Sequence, residues 1–167
     1  IETLASLGCH CLPIVTSVSV RDTKELKDTQ IIQASILIEQ VRAILEDIHV
    51  NLISIGDLAS ISNVEAIHTI LRDYPDIPVV LHPNISQHHN RDNLASVLTT
   101  LILPQADIMV LSKAEAWVLA PGADTLAAGA QELMEYGCSN FLLTDSNNAE
   151  QQVCNHWFNA HSNTQTY

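Results

Sequence analysis

From about Gln33 to Asp47 the apolar side chains Ile38, Val41, Leu45 and, just beyond, Ile48 recur at steps of three and four, the stripe of an amphipathic helix. The same period returns in Val64, Ile67, Ile70 and Leu71. Here Ser62 and Glu65 read as a capping box, and Pro75 stops the helix. Leu94, Val97, Leu98 and Leu101 predict a helix ending before Pro104. Ser112 and Glu115 repeat the capping-box spacing ahead of a short helix. Asp124 or Thr125 caps another, which carries Leu126, Ala130, Leu133 and Met134 and is closed by Gly137. Between these lie apolar, β-rich runs. Cys9 to Val20, with Leu12, Ile14, Val15, Val18 and Val20, reads as a buried strand closed by the polar turn Arg21-Asp22-Thr23. Asn51–Gly56, Ile77–Leu81, Asp107–Leu111 and Asn140–Thr144 are further strands, and Gln152–Phe158 is an outer, half-polar one. Alternation of strand and helix predicts an α/β fold, a doubly wound, mostly parallel sheet with helices on both faces. Ligands of such sheets gather beyond the C-terminal ends of the strands. Those ends are Arg21-Asp22-Thr23, Gly56-Asp57-Leu58, His82-Pro83-Asn84, Ser112-Lys113 and Thr144-Asp145-Ser146.

Composition narrows the functions this edge can serve. The 167 residues are 47% hydrophobic and 16% charged, enough for one domain over residues 1–167 with a real core. No internal repeat or low-complexity segment divides them. The first residue is Ile and the last six, Ser162 to Tyr167, are polar, so a piece of a longer protein is expected. Seven Lys and Arg against nineteen Asp and Glu leave a net charge of −12, which argues against a nucleic-acid groove or an anionic membrane surface as partner. No apolar run approaches the roughly 18 residues of a membrane span. The five glycines are scattered, so no Gly-rich phosphate loop occurs in this stretch. Four cysteines without a secretory leader fit a reduced, cytoplasmic setting.

Two clusters could carry chemistry of their own. His82, His88, His89 and Asp92 fall close enough to converge on a divalent ion, but no rigid pair on a helix fixes their geometry, and a polar loop with solvated histidines is the favoured reading. In Cys9-His10-Cys11, strand alternation throws His10 away from both thiols, which favours core packing of the cysteines. No metal site is assigned. Arg21 and Asp57, at neighbouring strand ends, are expected to meet across one crevice within about 8 Å. They would either orient an anionic or hydrogen-bonding ligand or form a structural ion bridge. Ser112 and Glu115 are explained fully by helix capping.

Taken together, the stretches IETLASLGCHCLPIVTSVSVRDT, SIGDLASISNVEAIHTIL, PVVLHP, LPQADIMVLSKAEAWVLAPGAD and AQELMEYGCSNFLLT resemble the hydroxymethylpyrimidine/phosphomethylpyrimidine kinases of thiamine biosynthesis over nearly the whole chain. That resemblance implies a ribokinase-like fold, incomplete at both ends, and transfer of the ATP γ-phosphate to a pyrimidine hydroxymethyl group or its monophosphate. It implies ATP and Mg²⁺ as cofactors, a small pyrimidine as ligand and a homodimer. It also places a substrate pocket at Arg21, Gly56, Asp57, Pro83 and Asn84, and a nucleotide and metal side at His82, Ser112, Glu115, Thr144 and Asp145. The motifs depart from the family pattern. Arg21 stands where a Q-N/D-T turn has Gln. Ser54-Ile55-Gly56-Asp57 replaces K-I-G-M/L, and His82-Pro83-Asn84 replaces D-P-V. Ser112 replaces the Asn of N-x-x-E while Glu115 remains, and Thr144-Asp145-Ser146 stands at a K/T-G-G/T turn. The family's D-P-S/T-G-G-A-G and G-S/T-G-C segments would lie outside this stretch, so no catalytic residue is identified within it. The expectation is a kinase homologue of weak or lost activity. The alternatives are a non-catalytic ligand-binding or regulatory domain and, third, a purely structural assembly module.

Overall fold

The structure, a computed structural model, describes residues 1–85, 90–145, 154–160 and 162–166, with backbone alone at 145, 154 and 162–166. In chain order it places α1 (Glu2–Ser6), β1 (Ser17–Arg21), β2 (Leu26–Ile31), α2 (Ala34–Asp47), β3 (Ile53–Ile55), α3 (Ile61–Asp73), β4 (Val79–Leu81), α4 (Arg91–Leu101), a short 3₁₀ turn (Leu103–Gln105), β5 (Ile108–Ser112), α5 (Lys113–Leu119), α6 (Leu126–Met134), β6 (Asn140–Asp145), β7 (Cys154–Asn159) and β8 (Ser162–Thr166).

Strands β3 to β8 lie in one sheet in sequence order. β3, β4, β5 and β6 pair in parallel, and β7 and β8 complete the edge antiparallel. Strand alternation puts Ile55, Val79, Leu81, Met109, Leu111, Phe141 and Leu143 on one face, all buried in a single core with Leu37, Val64, Ile70, Leu98 and Leu133 of the helices. The helices touch in series, α2 on α3, α3 on α4, α4 on α5 and α5 on α6, as one layer. The alternate residues Val80, Ile108, Val110, Leu142 and Trp157 are only half-buried. The α/β class and the mostly parallel sheet match the expectation, and among the described residues the helices that touch in series cover the fully buried face.

Cys9–Val20 does not join this sheet. β1 pairs antiparallel with β2 in a separate hairpin, Ser17 opposite Ile31 and Arg21 opposite Leu26. Its Val18 and Val20 are exposed, and so is Cys9, although Ile14 packs against the core. An apolar, alternating run is the pattern of a buried strand, but the strand needs neighbours on both sides to be buried, and β1 has only β2. Arg21-Asp22-Thr23 does turn the chain, as the hairpin tip. The carboxylate of Asp22 accepts from the N–H groups of Lys24 at 2.8 Å and Glu25 at 3.0 Å and pairs with Lys27 at 2.8 Å. Among the described cysteines Cys138 is the buried one, and burial pushes its thiol above the ordinary range.

Local signals set most helix ends. Thr125 caps α6 by accepting from the Ala128 N–H at 3.1 Å. Helix α3 is capped by Ser60, which accepts from the Asn63 N–H at 3.2 Å, rather than by Ser62 with Glu65. The two serines are two residues apart, and the chain turns extended at the first of them. Gly137 ends α6 at φ +116°, donating to the Met134 carbonyl at 3.0 Å.

Two outcomes follow from these turns. A Cβ at Gly137 would sit 3.2 Å from Pro104 Cα in a backbone region closed to L side chains. Gly137→Ala is therefore expected to lose about 1–3 kcal/mol in urea unfolding, and an unchanged midpoint would contradict the packing at Pro104. The Lys27 ammonium, with the backbone N–H groups of Lys24 and Glu25, holds the Asp22 carboxyl below its usual value. A lowered folded value means that the turn keeps its full stabilisation above the ordinary Asp range of about 3.9 and loses it as pH falls through the folded value. Amide shifts of Lys24 and Glu25 should stay flat from neutrality down to that range and move only below it.

Candidate functional site at the strand ends

Ladder register shapes the C-terminal edge of the sheet. Ile55 lies opposite Leu81, and Leu81 opposite Met109, so β3 and β4 stop level with one another. β5 runs three residues further, to Ser112, which pairs with Thr144 of β6. At about 3.3 Å per residue the ends of β5 and β6 stand roughly 10 Å beyond those of β3 and β4. Gly56, Asp57, His82, Pro83 and Asn84 form a lower shelf. Ser112, Glu115, Thr144 and the backbone of Asp145 form an upper step.

On the shelf, the His82 N–H donates to the Ile55 carbonyl at 2.8 Å and extends the ladder by one residue. His82 and Asn84 are exposed, while Pro83 and Ile85 are buried and anchor the loop between them. Gly56 is open, since a Cβ there would meet nothing within 4 Å. Asp57 accepts from the Ala59 N–H at 2.7 Å in a tight side-chain-to-backbone turn. Ala59 at φ +60° and Asn84 at φ +50° are the non-glycine residues with positive φ among those described, and they leave adjacent strands β3 and β4. Left-handed backbone costs an alanine on the order of 1 kcal/mol, and such strain concentrates where a fold shapes a site.

On the step, Glu115 is 2% exposed. Its Oε2 accepts from the Ser112 N–H at 2.8 Å and from the Ser112 hydroxyl at 2.6 Å, and the same hydroxyl accepts from the Glu115 N–H at 3.3 Å. Glu115 Oε1 is buried with no hydrogen-bond partner. Thr144 turns its hydroxyl back to the Leu111 carbonyl at 3.3 Å.

Arg21 is the site residue that the fold moves. It belongs to the hairpin and not to a central strand end. Thr16, whose hydroxyl donates to the Asp57 carbonyl at 2.8 Å, precedes it by five residues, about 16 Å of extended chain. His88 and His89 of the proposed histidine loop lie outside the described residues, as does the side chain of Asp145. No group of three or more His, Cys, Asp or Glu among the described residues could hold a metal. Sequence reasoning missed Thr16 and Asn63, which reach the shelf from outside it. For Asn63 the signal was a polar residue on the otherwise apolar stripe of α3.

A family model described as phosphomethylpyrimidine kinase matches residues 1–167, the whole chain. The chain belongs to the phosphomethylpyrimidine kinase family. A hydroxymethylpyrimidine/phosphomethylpyrimidine kinase of Mycobacterium bovis is 30% identical over 123 residues, 71% of this chain and 45% of that enzyme. A chloroplast thiamine biosynthetic bifunctional enzyme of Arabidopsis thaliana is 25% identical over 146 residues, 82% of this chain and 28% of the relative. The chain thus spans less than half the length of these curated relatives. The crystal structure of phosphomethylpyrimidine kinase from Clostridium difficile 630 superposes with a TM-score of 0.85 at 18% identity, over 99% of this chain and 75% of that one. It bears out the ribokinase-like fold. No described helix is long and apolar enough to cross a membrane.

The family resemblance implies ATP with Mg²⁺, and a pyridoxal kinase of similar fold from Staphylococcus aureus is known in complex with AMP-PCP and with ADP. Magnesium at phosphoryl-transfer sites takes one or two carboxylates and completes its shell from phosphates and water. The orphaned, buried Oε1 of Glu115 fits one such ligand position.

Capping at Ser112 is separable from any such role. Ser112→Ala removes the acceptor of the Glu115 N–H and one donor to Oε2, and should cost about 1–2 kcal/mol in urea unfolding. Ser112→Asn, which restores the residue of the family motif, keeps a good N-cap and should stay within about 0.5 kcal/mol of the parent. No loss in Ser112→Ala would show that the hydroxyl does not cap α5.

Proposed function

We propose that the stepped edge is a hydroxymethylpyrimidine/phosphomethylpyrimidine kinase-type site, with the pyrimidine on the shelf and ATP with Mg²⁺ on the step. Gly56, Asp57, Pro83 and Asn84 would line the pyrimidine side, with Arg21 carried on the hairpin. His82, Ser112, Glu115, Thr144 and Asp145 would face the nucleotide. The observation that carries this reading is Glu115, a carboxylate held by its capping box at the mouth of β5 with one buried oxygen unspent. A homodimer accompanies the reading on the strength of the family resemblance, and a cytoplasmic setting on the strength of the four cysteines.

Phosphoryl transfer in this chain is expected to be weak or lost. It depends on positioning and on electrostatic stabilisation of the moving phosphoryl group. His82 stands where the motif has a metal-side carboxylate, Ser112 where it has Asn, and Asp145 adds an acid where Gly would face phosphate. One lost donor of this kind can cost about 10²–10³ in rate, and several together leave little.

A second reading, a non-catalytic domain that binds a small ligand, draws support from how the candidate groups are occupied. Asp57 is engaged in its own turn, and Ser112 and Glu115 are engaged with each other. A coupled ADP-release assay on the purified chain separates the readings. The expected result is no pyrimidine-dependent ADP release above background, with little thermal shift from Mg·ATP. A shift with hydroxymethylpyrimidine alone would favour the binding domain. Pyrimidine-dependent turnover in the common enzyme range of about 1–10³ per second would establish an active kinase and overturn the expectation of lost activity.

A further inference from the structure

Asn63 has no part in the family motifs, and its side chain is unusual in this molecule. It is fully buried in the first turn of α3. Its amide nitrogen donates to the Leu58 carbonyl at 3.0 Å and to the Thr16 carbonyl at 3.3 Å, and its Oδ1 has no partner. The reverse amide orientation would set an oxygen against two carbonyls, so the donors are committed to these acceptors. Leu58 belongs to the turn that leaves β3. Thr16 is the foot of the β1–β2 hairpin, where its carbonyl also accepts from the Ile32 N–H at 3.0 Å. Both ends of the hairpin therefore meet at one carbonyl, and Asn63 holds that carbonyl to the shelf. The Thr16 hydroxyl adds a parallel tie to the Asp57 carbonyl.

These bonds are not needed to satisfy the backbone. The Thr16 carbonyl keeps Ile32 as a donor, and the Leu58 carbonyl keeps the Ser60 N–H at 2.7 Å. An apolar side chain at position 63 would leave neither carbonyl without a partner and would remove the buried, unpartnered Oδ1 altogether. A buried amide that stability does not require, and that joins two separate backbone segments, specifies their relative position.

We propose that Asn63 is a positioning residue that locks the foot of the β1–β2 hairpin to the Asp57–Ser60 turn. The hairpin bearing Arg21 and the shelf bearing Gly56 and Asp57 are then set as one body. That this sets a pyrimidine pocket rests on the function proposed above; the lock itself does not.

Amide hydrogen exchange on the ligand-free chain tests the lock. Asn63→Leu should unfold at nearly the parent temperature yet speed exchange at the Ile32 and Ser60 amides roughly tenfold, with Leu111 and Phe141 of the sheet unchanged. Thr16→Val, which cuts the parallel tie and leaves Asn63 in place, should give the same local pattern. The double variant should add less than the two singles combined, because both act on one joint. Should Asn63→Leu fail to fold, Asn63→Ala, which removes the same two bonds without added bulk, takes its place and is read at the same amides. Unchanged exchange at Ile32 and Ser60, or a uniform rise across the sheet, would overturn the proposal. Hydroxymethylpyrimidine is then added as probe. In the parent chain it should slow exchange at both Ser60 and Ile32, and in Asn63→Leu at Ser60 alone. No slowing in the parent would count against the pyrimidine reading and leave the lock to stand or fall on the ligand-free comparison. Slowing at Ile32 in Asn63→Leu would show that the hairpin is coupled by another route.

Discussion

Alternation along four parallel strands governs the rest of this molecule. Ile55 and Leu81 face the helices from β3 and β4, and Met109 with Phe141 and Leu111 with Leu143 continue those rows through β5 and β6. A slip of one residue in any strand would turn its buried row outward, so the helix layer specifies register even though the opposite face is half-exposed. Register in turn decides where each strand ends. The step between β4 and β5, and with it the division of the candidate site into two levels, follows from core packing well below the edge.

Unsatisfied chemistry collects on that edge. The buried side-chain atoms without a partner among the described residues are Asn63 Oδ1 and Glu115 Oε1, one behind the shelf and one at the step. The left-handed residues Ala59 and Asn84 lie there too. Each costs free energy that the apolar core has to offset, and a core this continuous can do so. Local inconsistency gathered along one edge points to that edge as the candidate functional site.

The sequence was legible where one physical signal dominates a segment. The stripe of α2, the stops at Pro75 and Pro104, and the capping box of Ser112 and Glu115 all stand as read, because each is a local rule with no competitor. β1 was placed in the wrong sheet because its valines alternate as a buried strand's would, and nothing local says how many neighbours a strand has. β2 and β8 escaped notice since LKDTQI and SNTQT have little apolar alternation to detect. β2 belongs to a hairpin with most residues exposed, and β8 is an edge strand. At the site, residues on the strand ends could be found by topology alone. Thr16 and Asn63 could not, as they reach it through contacts spanning more than forty residues of sequence.

Glu115 illustrates why a surviving motif residue is weak evidence for a surviving reaction. Its carboxylate closes the capping box of α5, and Ser112 serves that box as well as the Asn of the family motif would. Only its unspent Oε1 speaks for the site, since the capping box alone accounts for a Glu at position 115 whether or not a nucleotide binds. The same holds for Ile55, kept by the core, and for Pro83, kept by burial. Positions that folding leaves free are a better record of chemistry. Arg21 and His82 are exposed, unconstrained by packing, and different from the family motif at each point. Ile55, Pro83 and Glu115 are held by the fold, whereas Gly56 matches the motif although a Cβ there would meet nothing within 4 Å, so the kinase scaffold and kinase activity have to be weighed separately in this chain.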